Sequence, residues 1–102
     1  SANMIRSAEQ MQGFGHNLHN LGLNLIVVTV AANSRFANLS VEAIEHQADG
    51  AFLIVAINRR DGTTIPRPDP TVHVSPGDGV VIIERSGRGG AQAIFMGKGT
   101  PA

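Results

Sequence analysis

Apolar residues along the chain fall into short blocks, cut apart by glycine, proline and asparagine, and the spacing inside each block names its structure. Met4, Ile5, Ala8 and Met11 recur at helical spacing, so Met4–Met11 is expected to form a helix that Gly13-Phe14-Gly15 breaks. His16–Gly22 is asparagine-rich, with Leu18 and Leu21 able to extend a helical face. From Leu23 the period changes. Leu25-Ile26-Val27-Val28-Thr29-Val30 is β-branched and apolar at both alternating sets of positions, the pattern of a buried strand.

Asn33–Asn38 carries turn chemistry, and Asn38 accepts a left-handed backbone better than most residues. Ser40 is suited to cap a helix from Val41 to about Ala48, with Glu42 and Glu45 toward its positive end and Asp49-Gly50 as its stop. Ala51–Asn58 reads as a second strand, again apolar on both faces. Arg60-Asp61-Gly62-Thr63 reads as a hairpin turn, and Thr64-Ile65 begins the return. Pro66, Pro68 and Pro70 confine the next stretch to an edge or an extended connection. Val72-His73-Val74 is a brief extended piece, Ser75-Pro76-Gly77-Asp78 a turn, and Val80–Ile83 a further strand. Ser86–Gly90 is expected to be flexible, Ala91–Met96 to add a last short strand, and Gly97–Ala102 to fray.

The fold class expected is therefore α+β: a small, mostly antiparallel sheet with one or two short helices. Residues 1–22 read as an N-terminal tag followed by a linker or helical connection, 23–86 as the folded unit, and 87–102 as a flexible tail. Strands apolar on both faces outnumber the helices available to cover them. A sheet open to water normally shows polar residues on that side, so a homodimer is expected to cover it. The competing expectation is that the Met4–Met11 helix folds back over that face.

Composition narrows the chemistry. The chain has no cysteine, which removes disulfides, a thiol nucleophile and a cysteine-ligated zinc. Eight basic and eight acidic residues leave a formal charge of zero, from which no nucleic-acid partner is expected. With no Trp or Tyr and four Phe, stacking platforms for bases are scarce. Apolar stretches such as Leu25–Val28 and Gly50–Ile57 are too short to span a bilayer, and Met4-Ile5-Arg6 opens no signal peptide. No direct membrane insertion is expected.

Candidate sites are few. His16 and His19 share a helical spacing, but no nearby acid or cysteine completes a zinc set, so no metal site is expected. His73 reads as a surface strand residue. Arg59, Arg60 and Arg67 gather at the hairpin and its return, where charge and proline protect an edge; Arg67 is the best of them for an anion contact. Gly87-Arg88-Gly89-Gly90 lacks the Lys-Ser/Thr of a phosphate loop. Asp78 suits bonding to backbone amides in its own turn. No nucleophile, base and orienting group come together, so the chain reads as not an enzyme, with no catalytic residues.

Taken in order, the segments Asn33–Val41, Leu53–Gly62, Ile65-Pro66, Pro68-Asp69 and Val74–Ile82 resemble the TrkA-C family, the C-terminal half of the regulator-of-potassium-conductance domain. Asn38 stands where that family usually has glycine. The resemblance runs from about Leu25 to Glu84. It implies a dimeric TrkA-C-like module on the cytoplasmic side of the inner membrane, part of a larger potassium channel or potassium transport system that is gated by a small ligand at the homodimer interface. The alternative is a ligand-free dimerisation or interaction domain of a cation exchanger or other transporter. Its partners would be a second copy and a membrane channel or transporter subunit. Some members bind cyclic di-AMP through an arginine near the helix end and an asparagine at the strand start; those positions fall on Gln47 and Leu53 here. The resemblance thus assigns the ligand site to His46, Gln47, Ala51, Phe52 and Leu53, with Pro66 and Arg67 from the return, His46 and Arg67 being the candidates to compensate for the missing arginine.

Overall fold

The computed structural model describes residues 17–87 and 90–97. The Met4–Met11 helix, the Gly13–Gly15 break and the fraying end beyond residue 97 lie outside them. Residues 17–20 form a helical turn that buries Leu18. The β-branched block after it forms β1 (Leu23–Thr29), followed by α1 (Val41–Ala48), β2 (Phe52–Asn58), β3 (Thr64–Pro66), β4 (Gly79–Arg85) and α2 (Ala91–Phe95). The strands make one sheet in the order β1-β4-β2-β3, antiparallel at every pairing. This is the small antiparallel α+β fold that the pattern of the chain implied.

Local chemistry sets the ends of α1. Ser40 sits in an extended conformation, and its hydroxyl accepts from the Ala43 N–H at 3.1 Å. At the other end Asp49 takes φ 49° and returns its N–H to the Glu45 carbonyl, and Gly50 continues the turn at φ 84°. Removal of the Ser40 hydroxyl leaves an amide of the first turn without its acceptor. Ser40→Ala is therefore expected to cost about 1 kcal/mol, read as a lower urea midpoint at unchanged slope. Asn38 holds φ 68°, as its side chain suggested, and its N–H donates to Val74 at 2.7 Å.

β4 lies between β1 and β2 and decides which residues face inward. Val80 and Ile82 are buried, and their partners Val28, Ile26, Ile57 and Ile54 lie on the same face. Strict alternation would put Ile57 on the opposite face from Ile54. A bulge between Ile54 and Ala56 inserts Val55 and returns Ile57 to the core, where it is fully buried. Both helices pack on this face. Val41 and Ile44 come from α1, and three rings from distant segments meet beside them: Phe36 and Phe95 at 4.9 Å between centroids, Phe52 and Phe95 at 5.7 Å.

Ala91–Phe95 corrects an expectation. It is not a last strand but a helix, because Ala91 and Phe95 stand one turn apart and both bury into the core. The Ser34 hydroxyl donates to the Ile94 carbonyl at 2.7 Å, and the Ala31 N–H to Phe95 at 2.8 Å, so α2 is tied to the loop after β1.

The β2–β3 connection is a hairpin in which Gly62, at φ 91°, supplies the left-handed position. The Thr63 N–H donates to the Asp61 carboxylate and, as the largest cause, lowers its pKa below the ordinary aspartate value. That contribution is present at neutral pH and fades as pH falls through the lowered value. Arg59 is not the solvated edge residue its position suggested. Its guanidinium donates to the Asp78 carboxylate at 2.5 Å and to the His73 carbonyl at 2.9 Å. Asp78 also accepts from the Ser75 N–H at 2.8 Å, the turn role read from the sequence.

The opposite face of the sheet carries Leu23, Leu25 and Val27 from β1, Val81 and Ile83 from β4, and Leu53 from β2. α1 and α2 both pack on the other side, against the core. Val27 is 61% exposed and Leu53 59%.

Candidate functional site

One corner of that open face is concave. The turn after α1 brings Gly50 and Ala51 to the start of β2, where Leu53 pairs with Ile83 of β4. One step further along β4, Arg85 stands opposite Leu23 of β1, and its N–H reaches the Ala51 carbonyl at 3.4 Å. These elements border an open cleft of about 210 Å³, lined by Leu23, Leu53 and Ile83, by Gly50, Ala51 and Phe52, and by Arg85. Sidedness follows from alternation along β4: Val81, Ile83 and Arg85 share the open face, whereas Val80 and Ile82 are buried in the core.

Of the residues expected to hold a ligand, Ala51, Phe52 and Leu53 come together here. Phe52 turns its ring the other way, into the cluster with Phe36 and Phe95, where it is 4% exposed. Its ring is therefore a core group rather than a ligand contact. His46 and Gln47 are exposed on α1 and do not line the cleft. Pro66 and Arg67 lie on the far side of β2, where Pro66 pairs with Ala56 and the Arg67 N–H donates to Val55 at 2.9 Å. Arg67 also holds φ 47°, a left-handed conformation uncommon for a long side chain.

Leu23, Ile83 and Arg85 were not among the expected site residues. Finding them requires the β1–β4 register, which pairs residues far apart in sequence. The local signal for Arg85 is the point where the apolar series Val81, Ile83 along the open face gives way to a charge. Glu45 also has a position that spacing alone did not reveal: its carboxylate accepts from the Ile54 N–H at 2.8 Å. It thereby satisfies the outer edge of β2 ahead of Ala56, where β3 begins to pair.

Among the described residues, no group of three or more His, Asp or Glu side chains is placed to hold a metal ion. No described helix is long and apolar enough to cross a membrane.

No protein-family model matches the chain, and no curated protein matches it. Among solved structures, the fold is similar to S. agalactiae BusR in complex with its busA-promotor DNA, with a TM-score of 0.50 and 17% identity. The match covers 79% of this chain and 46% of that one, so this chain spans a little under half of its neighbour's length. At that identity the likeness speaks for the fold alone. It also corrects the expectation that nucleic acid is excluded as a partner. Formal neutrality describes the charge of these 102 residues, whereas a chain built on a similar fold is found in a DNA complex. Zero net charge on one module does not decide what a protein containing it binds.

Proposed function

We propose that this chain is a regulatory module that pairs with a second copy through its open sheet face and reads a small ligand in the cleft at the rim of that face. In line with the TrkA-C resemblance, the module acts on the cytoplasmic side of a potassium channel or potassium transport system. Ligand binding would shift that system between two arrangements for which the ligand has different affinities. The observation that carries the reading is the apolar face itself, with Val27 and Leu53 61% and 59% exposed on a chain this small. Contiguous apolar surface of this kind marks an interaction site.

Sedimentation tests it directly. The chain is expected to be a dimer at micromolar concentration, and Leu53→Arg, which places a charge on the apolar face, is expected to dissociate it by at least tenfold with unchanged far-UV circular dichroism. A wild-type monomer at tens of micromolar would remove the reading. The ligand-free alternative, an interaction domain of a cation exchanger or other transporter, makes the same dimer. A thermal-shift screen of nucleotides, cyclic dinucleotides and divalent cations separates the two, since a ligand at a hundred times its dissociation constant stabilises by about 2.7 kcal/mol.

A second reading is favoured by the DNA-bound neighbour: the same ligand-reading dimer serving a DNA-binding protein rather than a transporter. Binding of duplex DNA that weakens steeply as salt rises would select it.

A further inference from the structure

The cleft has a chemistry more specific than its place on the sheet. Its wall is aliphatic, from Leu23, Leu53 and Ile83, and among the described residues the one charged residue lining it is Arg85. The guanidinium of Arg85 is exposed, and among the described residues no carboxylate lies within ion-pair distance of it. Its sequence neighbour Glu84 points to the other face of the sheet, opposite Phe52 and Asn24. The cleft therefore joins an apolar surface to a cation that has no acidic partner among the described residues. At about 210 Å³ it is also smaller than the roughly 300–1,000 Å³ of sites that enclose a drug-sized ligand. Leu53 and Ile83 belong to both the cleft and the open face, so a second copy seated on that face would form the missing wall.

We infer that the cleft binds a small amphipathic anion, an acidic group on an apolar body, with the acidic group on Arg85 and the body against Leu23, Leu53 and Ile83. The inference rests on the proposed two-fold pairing for closure of the cleft, but the recognition chemistry belongs to a single chain. A guanidinium offers a planar fork of donors to a carboxylate or phosphate, and the aliphatic wall favours whatever carries that group. Arg67, the cation expected from the sequence, is not part of this arrangement. It stands beyond β2, at the β3 edge.

Hexanoate and phenyl phosphate are suitable probes, as the two sources of such an anion, with hexanamide as the neutral match for the first. Methyl resonances of Leu23, Leu53 and Ile83 are followed during titration of the wild-type chain, of Arg85→Gln, of Arg85→Lys and of Arg67→Gln. At least one anion is expected to shift these methyls saturably. Hexanamide is expected to bind about tenfold or more weakly than hexanoate, and Arg85→Gln to lose a similar factor for the anion, because a charge-assisted bond is removed. Arg85→Lys is expected to fall between, and Arg67→Gln to match the wild type. Preference for phenyl phosphate over hexanoate, or the reverse, identifies which acidic group the fork fits.

Equal binding of hexanamide and hexanoate overturns the inference, as does full affinity in a folded Arg85→Gln chain. So does the absence of any methyl shift up to tens of millimolar in both probes. Sedimentation of the same samples separates this outcome from failure of the pairing. A monomeric wild type whose Leu53 and Ile83 methyls still respond to the anion through Arg85 removes the two-fold reading and keeps the ligand class. A dimer with a silent cleft does the opposite.

Discussion

Phe95→Ala is expected to lower the unfolding free energy by about 3–5 kcal/mol, a large share of the total for a domain of this size. Phe95 is fully buried, and its ring contacts Phe36 at 4.9 Å and Phe52 at 5.7 Å. The three rings come from the loop after β1, the start of β2 and the last helix, so one side chain connects segments far apart in sequence. Truncation removes the transfer free energy of the ring and opens a cavity between two aromatic neighbours that cannot both move in to fill it. It also leaves α2 held by the smaller side chains of Ala91 and Ile94 and by the Ser34–Ile94 and Ala31–Phe95 hydrogen bonds. Urea denaturation should show a lower midpoint. Hydrogen exchange should show α2 opening locally, at lower free energy than the β1–β4 pairing. Met96, next in sequence but exposed, is the control, and Met96→Ala is expected to stay within about 0.5 kcal/mol of the wild type. Equal effects of the two substitutions would mean that α2 does not pack as described.

α2 was the element least legible in the sequence, and the reason is physical. Ala91–Phe95 is a five-residue helix with no side-chain cap, so it carries few local signals. Its conformation is selected by the hole that Phe95 fills, which only the folded chain presents. α1 is the contrast. Ser40, Asp49 and Gly50 form their cap contacts within a few residues, and a reader of the sequence finds them there. The same division runs through the candidate site. Ala51 and Leu53, which the resemblance assigned, line the cleft because helix stop and strand start lie side by side in the chain. Arg85 and Leu23 reach the cleft through strand register, and the Ile54–Ala56 bulge, which determines that Ile57 is inside, leaves no mark in a run of aliphatic residues. His46, Gln47, Pro66 and Arg67 were assigned by the resemblance but do not line the cleft. Helical rotation and the width of β2 separate them from it.

Arg59→Ala is expected to cost about 3 kcal/mol, and more than Asp78→Asn, although the two residues form a single ion pair. The asymmetry follows from burial. The Asp78 side chain is 3% exposed, whereas that of Arg59 is 26% exposed. Loss of the guanidinium leaves a buried carboxylate with only the Ser75 N–H, and it also removes the donor to the His73 carbonyl. Loss of the Asp78 charge is milder. Asparagine keeps an oxygen for the Ser75 N–H, and Arg59 can turn toward water, so a cost of about 1–2 kcal/mol is expected. The pair spans the end of β2 and the turn that launches β4, so its loss should loosen the sheet where Asn58 pairs with Gly79. A double-mutant cycle decides whether the buried charge is the cause. In an Arg59→Ala background, Asp78→Asn is expected to recover about 1 kcal/mol or more, because it removes the charge left without a partner. If the second substitution adds its full cost to the first, the carboxylate was never stranded, and Arg59 stabilises the turn through its contact with His73 alone.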